Sequence, residues 1–460
     1  MAQPPDAHYR ARSLWLDRLP GALSPRAALP GPTEADVAIV GAGFTGLWTA
    51  YYLKRAQPDL RIVVVEREIA GFGPSGRNGG WASGGIAGSP SAYGLAPGSD
   101  AIRRALRETH RGVDEIGRVV EREGIDCAFL KAGALIVATT QPQWRRLAAR
   151  ARGDRQDADR RLLSAAEASE LVRVEGLLGG RYQPHGARVD PARLVRGLAE
   201  ACERHGVRIY ERTAAHALEP GRVRCAAGDV RAEVVLGAIE SYTTELPGQR
   251  LRYLPLYSLM IATAPLRAEA WDALGWRDGL LVGDGRYLFF YAQRTADGRI
   301  AIGGRGAPYR LRRPIDERNE RDEAVRQRLV STIRRDFAAA GDVQVTHHWG
   351  GPLAAPRDWS MSIEFDRRTG IGWAGGYTGH GVVSSNIAGR TLADLVLGRD
   401  SELATMPWVG HRSRRWEPEP VRFGASRAIY ATLASADRYE DATGRPARWV
   451  RLVGRFLPPA

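Results

Sequence analysis

The sequence predicts an α/β chain: a parallel-sheet domain interrupted by a second domain on a mixed, largely antiparallel sheet. Three observations predict it. First, the strand-like run DVAIV at 36–40, a helical pattern opened by GAGFTG at 41–46 and running to about residue 55, and the run RIVVV at 61–65 ending on Glu66 form one strand–helix–strand unit. Second, three apolar runs between 251 and 302 are separated by turns such as Ala296-Asp297-Gly298, which reads as antiparallel. Third, glycine-rich sequence returns at 370–381 ahead of another helix, so the first domain resumes after the insertion.

Taken in chain order, residues 1–35 are rich in Pro, Ala and Arg without a period and read as an arm over the first domain. After the βαβ unit and a glycine-rich stretch to about 98, residues 100–123 read as a long helix whose apolar stripe is Ile102, Leu106, Val113, Ile116 and Val120. Residues 127–140 have a strand pattern, and Arg/Ala-rich helical sequence follows to about 178. The stretch 190–215 is helix then strand, and 230–239 is another apolar strand able to rejoin the first sheet. A helix is expected at 382–397 and a helical, basic tail beyond it. The resulting plan assigns 36–98, 187–246 and 343–398 to the first domain, 99–186 and 247–342 to the second, and 399–460 to the tail.

Composition excludes several classes. The 460 residues are 44% hydrophobic and 26% charged, an ordinary globular balance that rules out disorder and collagen. The 66 basic residues against 52 acidic ones give a formal charge of +14, but all except Lys54 and Lys131 are arginines interleaved with acids, not gathered into a nucleic-acid-binding stripe. Cys127, Cys202 and Cys225 have no metal-ligand or disulfide spacing, so no metal is expected and a reducing cytoplasm fits. The longest uncharged apolar stretch, 253–266, is too short to span a bilayer and is broken by Pro255 and Pro265. The basic amphipathic segment 448–457 is expected to pack on its own domain rather than on a membrane.

In GAGFTG, Gly41 permits the tight turn out of the strand, Gly43 lets backbone approach a pyrophosphate, and Gly46 lets the helix pack on the strand. The helix N-terminus then meets the anion with unbonded N–H groups and the positive end of its dipole. Glu66, placed to accept from ribose hydroxyls, would repel a 2′-phosphate and so disfavours NADP. NAD and FAD are not separated by this motif. The following GFGPSGRNGGWASGG at 71–85 gives backbone close access to a ligand, with Ser75, Arg77 and Asn78 as polar contacts to a phosphate or a flavin edge. GGYTGHG at 375–381, just before a helix, could present its N-terminus and His380 to the N1/O2 edge of an isoalloxazine ring.

Together these segments, with GARVDPARLVRGLAEA and DGRIAIGGR, resemble the D-amino-acid-oxidase-like (DAO) family of FAD-dependent oxidoreductases, most closely its γ-glutamylputrescine oxidoreductase-like members, over about residues 14–398. The resemblance implies a Rossmann-like FAD-binding domain with an inserted substrate domain. It implies FAD contacts at Gly41, Gly43, Phe44, Thr45, Gly46, Glu66, Arg67, Ser75, Arg77, Asn78, Gly79, Gly80, Gly376, Gly379, His380, Gly381 and Val382, with Ala215 beside the adenine. No cysteine falls near these segments, which favours non-covalent FAD. It also implies hydride transfer from the α-carbon of a small amine to flavin N5, the imine then hydrolysing, with His380, Tyr257, Tyr291 and Arg305 as candidate groups over the ring.

Three departures bear on the substrate. Relatives that oxidise α-amino acids usually carry a carboxylate-binding arginine where this chain has Leu353, which points to an amine unless Arg357 or Arg305 substitutes. Glu240 replaces the family's usual Asn in GAIESYT. Neither lysine sits where sarcosine-oxidase-like members activate oxygen, which leaves O2 or another group as electron acceptor. The alternatives are an oxidase or dehydrogenase of an α-amino or N-methyl amino acid, a flavin-dependent tRNA-modifying domain, and a plain NAD dehydrogenase that would leave the two later glycine clusters without a job.

Overall fold

The computed structural model describes residues 6–153, 157, 159–304, 309–311 and 315–453. Its first sheet grows from the βαβ unit. Thr33–Val40 pairs in parallel with Ile62–Val65 on one side and with Val230–Gly237 on the other. Arg208–Tyr210 and Ile371–Gly375 continue the parallel order outward. All four residues of Ile62–Val65 are buried, as a parallel strand covered on both faces requires. The hairpin of Ala215–Glu219 and Arg222–Cys225 joins the start of Val230–Gly237, and Ser362–Asp366 pairs outside Ile371–Gly375 along the end of that same strand, both antiparallel, so that Arg208–Tyr210 forms the opposite edge.

The motif helix Phe44–Ala56 lies directly against Gly381–Leu397. Gly389 makes the contact possible, since a Cβ there would stand 2.5 Å from Trp48 Cβ and 2.8 Å from Thr49 N. Asp190 caps Pro191–Arg204 by accepting from the N–H groups of Ala192 and Arg193, both at 3.0 Å, with proline at the first helical position. The long helix runs Asp100–Glu123 and stops at Gly124, whose φ of 65° suits the left-handed cap.

The second sheet has eight strands, in the order Val345–Ala355, Leu254–Thr263, Ile300–Gly304, Phe290–Arg294, Leu281–Asp284, Ala134–Ala138, Gly179–Gln183 and Arg161–Ser164. Only the pairing of Leu281–Asp284 with Ala134–Ala138 is parallel. Two features differ from the sequence reading. Val345–Ala355, expected in the first domain, pairs along its length with Leu254–Thr263, and Gly350 lets the two strands fit closely, since a Cβ there would stand 2.3 Å from Leu259 Cδ2. The stretch after Ala138 is not continuously helical: Gln141–Gly153 and Ala165–Ser169 are helices, and Arg161–Ser164 between them is the edge strand of this sheet.

The N-terminal arm is wedged against the second sheet as well as the first domain. Leu14, Trp15 and Leu16 are buried with Met260, Ala301 and Trp349, and Trp15 meets the Trp349 ring edge-on at 6.2 Å. Trp15 also donates to the Asn78 carbonyl at 2.8 Å, so the arm buttresses the glycine-rich loop from behind. At the other end, Val421–Thr443 is a helix of the tail. Val450 is buried beside Leu433, and Trp449 packs edge-on against Tyr439 at 5.0 Å, while 454–457 lie outside the described residues.

Candidate functional site

Between the two sheets runs a cavity of about 1710 Å³, lined from the first sheet by Val40 and Val65 and from the second by Leu256, Tyr257 and Tyr291. Ligand pockets are usually about 300–1,000 Å³, so this one has room for a large cofactor together with a substrate. Two helix N-termini open onto it. Phe44–Ala56 starts at Gly43 and Gly381–Leu397 at His380; neither is capped by the side chain of its own N-cap residue or carries an acid in its first turn. The positive ends of both are therefore left for an external electron-rich group. The Tyr377 hydroxyl and Thr45 Oγ1, 2.8 Å apart, tie the two starts together.

The glycine turn has the shape the motif requires. Gly41 has φ 106°, and a Cβ would stand 2.7 Å from the Ala238 carbonyl oxygen. A Cβ on Gly46 would stand 2.0 Å from the Gly41 carbonyl oxygen, so Gly46 serves helix packing and does not reach the cavity. Ser75 Oγ accepts from the Phe44 N–H at 2.9 Å, which fastens the 71–85 loop to the same helix start. Glu66 accepts from the N–H groups of Ala42 (2.9 Å) and Glu68 (3.0 Å) at the cavity wall. Burial holds its carboxyl above the ordinary value, and those two N–H groups pull it back.

Of the other expected contacts, Gly43, Phe44, Thr45, Arg67, Ser75, Asn78, Gly79, Ala215, Gly379, His380, Gly381 and Val382 line the cavity. Gly80 and Gly376 sit behind it. Gly80 packs on Gln293, and the Gly376 N–H is bonded to Glu240 at 3.0 Å. Arg77 reaches the cavity, but its guanidinium is taken by Glu320 at 2.6 Å and the Tyr242 hydroxyl at 3.1 Å, so it joins the loop to the second sheet instead of offering a free charge. Asn78 is spent on its own loop, donating to Ser75 O at 2.8 Å and accepting from Gly80 N at 2.8 Å.

Tyr257 and Tyr291 both face the cavity with their hydroxyls already bonded, the first to the backbone of Asp316 and the second to Ser258 Oγ at 2.6 Å. Burial pushes the Tyr291 phenol up to about 12 and Tyr257 well above its usual value, so neither is a base near neutrality. His380 is exposed at the helix start beside Gly85. Arg305 lies outside the described residues. Leu353 lines the cavity opposite Leu256, and Arg357 is held by Glu417 at 3.1 Å and stacked over Trp416 at 5.1 Å. Lys54 donates to the Leu60 carbonyl at 3.0 Å, Lys131 pairs with Asp114, and neither lines the cavity.

Glu240 is the residue that sequence reasoning could not account for. With φ at 47°, it turns its carboxylate onto three backbone N–H groups: Ala354 at 2.9 Å, Gly376 at 3.0 Å and Tyr377 at 3.2 Å. It thereby joins a strand of the second sheet to the loop that opens the second helix. Its remaining accessible surface faces the cavity, and burial pushes the carboxyl up to about 7 against the pull of those donors.

The family model for FAD-dependent oxidoreductases (DAO) matches residues 36–395. γ-Glutamylputrescine oxidoreductase of Escherichia coli (strain K12) is 30% identical over 413 residues, 86% of this chain and 92% of that protein. The chain belongs to the DAO family of FAD-dependent oxidoreductases. A probable oxidoreductase, OrdL, of Rhizobium meliloti (strain 1021) is 30% identical over 82% of this chain and 86% of its own length. Among solved structures, glycine oxidase from Geobacillus kaustophilus superposes with a TM-score of 0.67 at 19% identity, covering 84% of this chain and all of that one. L-Proline dehydrogenase from P. horikoshii gives 0.68 at 17%, covering 83% and 98%.

The cavity fits the DAO cofactor. Its glycine turn admits no Cβ, its two helix starts lack acids, and no cysteine lines it among the described residues, in keeping with the non-covalent FAD typical of the family. The residues that sequence reasoning missed are Thr213 and Ala214 beside Ala215 and the tail residues Ile429 and Leu433, which also line the cavity. Thr213 follows the last parallel strand and bonds the Glu66 carbonyl at 2.7 Å, a position that the strand order would have revealed. The tail residues carried no motif. Sequence analysis expected no metal; the structure does gather His110, Asp159 and His185 with ligand atoms within 4.8 Å of one another. The two imidazoles are stacked with centroids 3.7 Å apart and planes 6° from parallel, so their in-plane lone pairs do not converge on one point.

Proposed function

We propose that this enzyme oxidises the C–N bond of an amine that lacks an α-carboxylate. The observation that carries this reading is how the cations near the substrate side of the cavity are used. Leu353 stands where amino-acid-oxidising relatives carry a carboxylate-binding arginine, and Arg357 is already neutralised by Glu417. A substrate carboxylate would have to compete with that internal partner for a guanidinium that is also held in place over Trp416.

The residues at the two helix starts would hold FAD, which would supply the two-electron acceptor for oxidation at the substrate α-carbon. With FAD bound, the start of Gly381–Leu397 would offer N–H groups and a positive dipole end to the negative charge that develops on reduction. Ser75 and Tyr377 hold the two helix starts in register, and Tyr257 and Tyr291 form a neutral wall with fixed hydroxyls. Since neither tyrosine accepts a proton near neutrality, the two serve as wall and not as base. The imine product leaves to hydrolyse in water.

The likeness to γ-glutamylputrescine oxidoreductase supports an amine as substrate. The three buried, unpaired cysteines support a reducing compartment such as the cytoplasm. The test is anaerobic bleaching of the flavin absorbance across primary amines, N-methyl amines and α-amino acids. Bleaching by amines with α-amino acids inert supports the reading, and preference for an α-amino acid over its decarboxylated amine refutes it.

A further inference from the structure

The cavity ends against the helix Val421–Thr443, which lies beyond the residues matched by the family model. Val421, Ala425, Ile429 and Leu433 all line the cavity, and their spacing of four places them on one face. Val421 is 59% exposed and forms the rim, while Leu433 is 4% exposed and forms the floor.

The same face continues into acids that lock the helix down. Asp437 accepts from the N–H groups of Tyr287 (2.9 Å) and Leu288 (2.8 Å), Glu440 holds Arg146 at 2.7 Å, and Asp441 holds Arg286 at 3.2 Å. Arg146 and Arg286 both line the cavity. Glu440 of the tail helix thus occupies Arg146, Asp441 adds to the Asp284 that already holds Arg286 at 2.6 Å, and Glu417 occupies Arg357 at the other end of the same tail segment, so none of these three cations is left open for an anionic ligand. At the floor the tail offers apolar groups, Ile429 and Leu288 packed with Leu433, and Trp416 packed with Leu256 and Tyr309, while Arg427, on the exposed side of the helix, and the half-buried Tyr430 also line the cavity.

We propose that this helix is the specificity wall of the site, seating an uncharged hydrocarbon or aromatic tail of the substrate beneath Ile429 and Leu433 while the reacting nitrogen sits at the flavin. The proposal rests on the amine reading above and adds the class: amines bearing an apolar tail of several carbons.

The test uses the FAD-loaded enzyme and the primary n-alkylamines from butyl to octyl, with diamines and ω-amino carboxylates of equal length. At sub-saturating concentration each added methylene should raise the anaerobic bleaching rate about three- to fourfold until the tail meets Leu433. Leu433→Trp should lower the octyl-to-butyl ratio at least tenfold with FAD content unchanged, and Ile429→Trp, at a less buried position, provides the same reading if the first variant folds poorly. A diamine or ω-amino carboxylate preferred over the alkylamine of equal length, or a ratio indifferent to both substitutions, overturns the proposal. Inert n-alkanols separate it from the amine reading. Perturbation of the flavin spectrum that tightens with alkanol length and is lost in Leu433→Trp supports the wall even if no amine bleaches the flavin; no dependence on length overturns the wall even if amines do.

Discussion

Replacing Glu240 by glutamine should change how stability depends on pH. Burial raises this carboxyl from the ordinary 4.5 to about 7, so the fold prefers its protonated form. That preference is fully present below pH 4.5 and is lost as the pH rises through 7. At 1.36 kcal/mol per pH unit the whole effect is about 3 kcal/mol, most of it falling between pH 5 and pH 8. The substituted amide has no proton to lose. Its carbonyl can still accept from Gly376 and Tyr377, but its NH2 then faces the Ala354 N–H and leaves that donor unpaired, a loss of about 1–3 kcal/mol. Wild type should therefore be the more stable protein at pH 5, with the gap closing or inverting by pH 8. Urea denaturation followed by tryptophan fluorescence at pH 5, 6, 7 and 8, with both proteins saturated with FAD, measures the difference. A wild-type-minus-variant difference that stays flat across this range would refute the burial argument.

Gly46→Ala puts a methyl 2.0 Å from the Gly41 carbonyl oxygen, so the turn must open at a cost of about 1–3 kcal/mol; the ratio of flavin to protein absorbance should drop, and a normal ratio would contradict the packing role. Tyr377→Phe removes the 2.8 Å bond to Thr45 and should cost about 1 kcal/mol of stability by thermal melt, with larger effects pointing to a role beyond tying the helix starts. Arg77→Ala removes one of the two cations on Glu320, leaving Arg12 at 3.3 Å, and should destabilise by about 1.5–3 kcal/mol; a variant of normal stability that has lost only FAD would show that Arg77 serves the cofactor instead. Because burial holds Tyr291 near 12 and Tyr257 higher still, the rate of flavin reduction should rise with pH along the titration of the substrate ammonium. A profile that keeps one midpoint for amines of different basicity would assign the proton to the enzyme.

Much of the fold was legible because it is governed by local rules. The βαβ unit is marked by residues with a local backbone reason, such as Gly41 at φ 106°, and 100–123 has an apolar stripe that ends at a left-handed glycine. The strand Val345–Ala355 was not legible, because its assignment to the second sheet depends on a partner some 90 residues away and its interior glycines weaken any strand pattern. The same distinction holds at the site. Glycine positions that line the cavity followed from the turn they make, whereas Arg77 looked like a phosphate ligand until Glu320, from a remote segment, was found against it. Glu240 presented only an unexpected acid, since its meaning lies in three N–H groups brought from two other segments. The tail helix had nothing in its sequence to connect it with the cavity.

The most direct test of the central claim is the stoichiometry and release of bound flavin. Purified protein should carry one FAD per chain, freed into the supernatant by acid precipitation, and the apoprotein should regain the yellow spectrum on adding FAD. Protein that is colourless as purified and takes up no added FAD would contradict the account at its root.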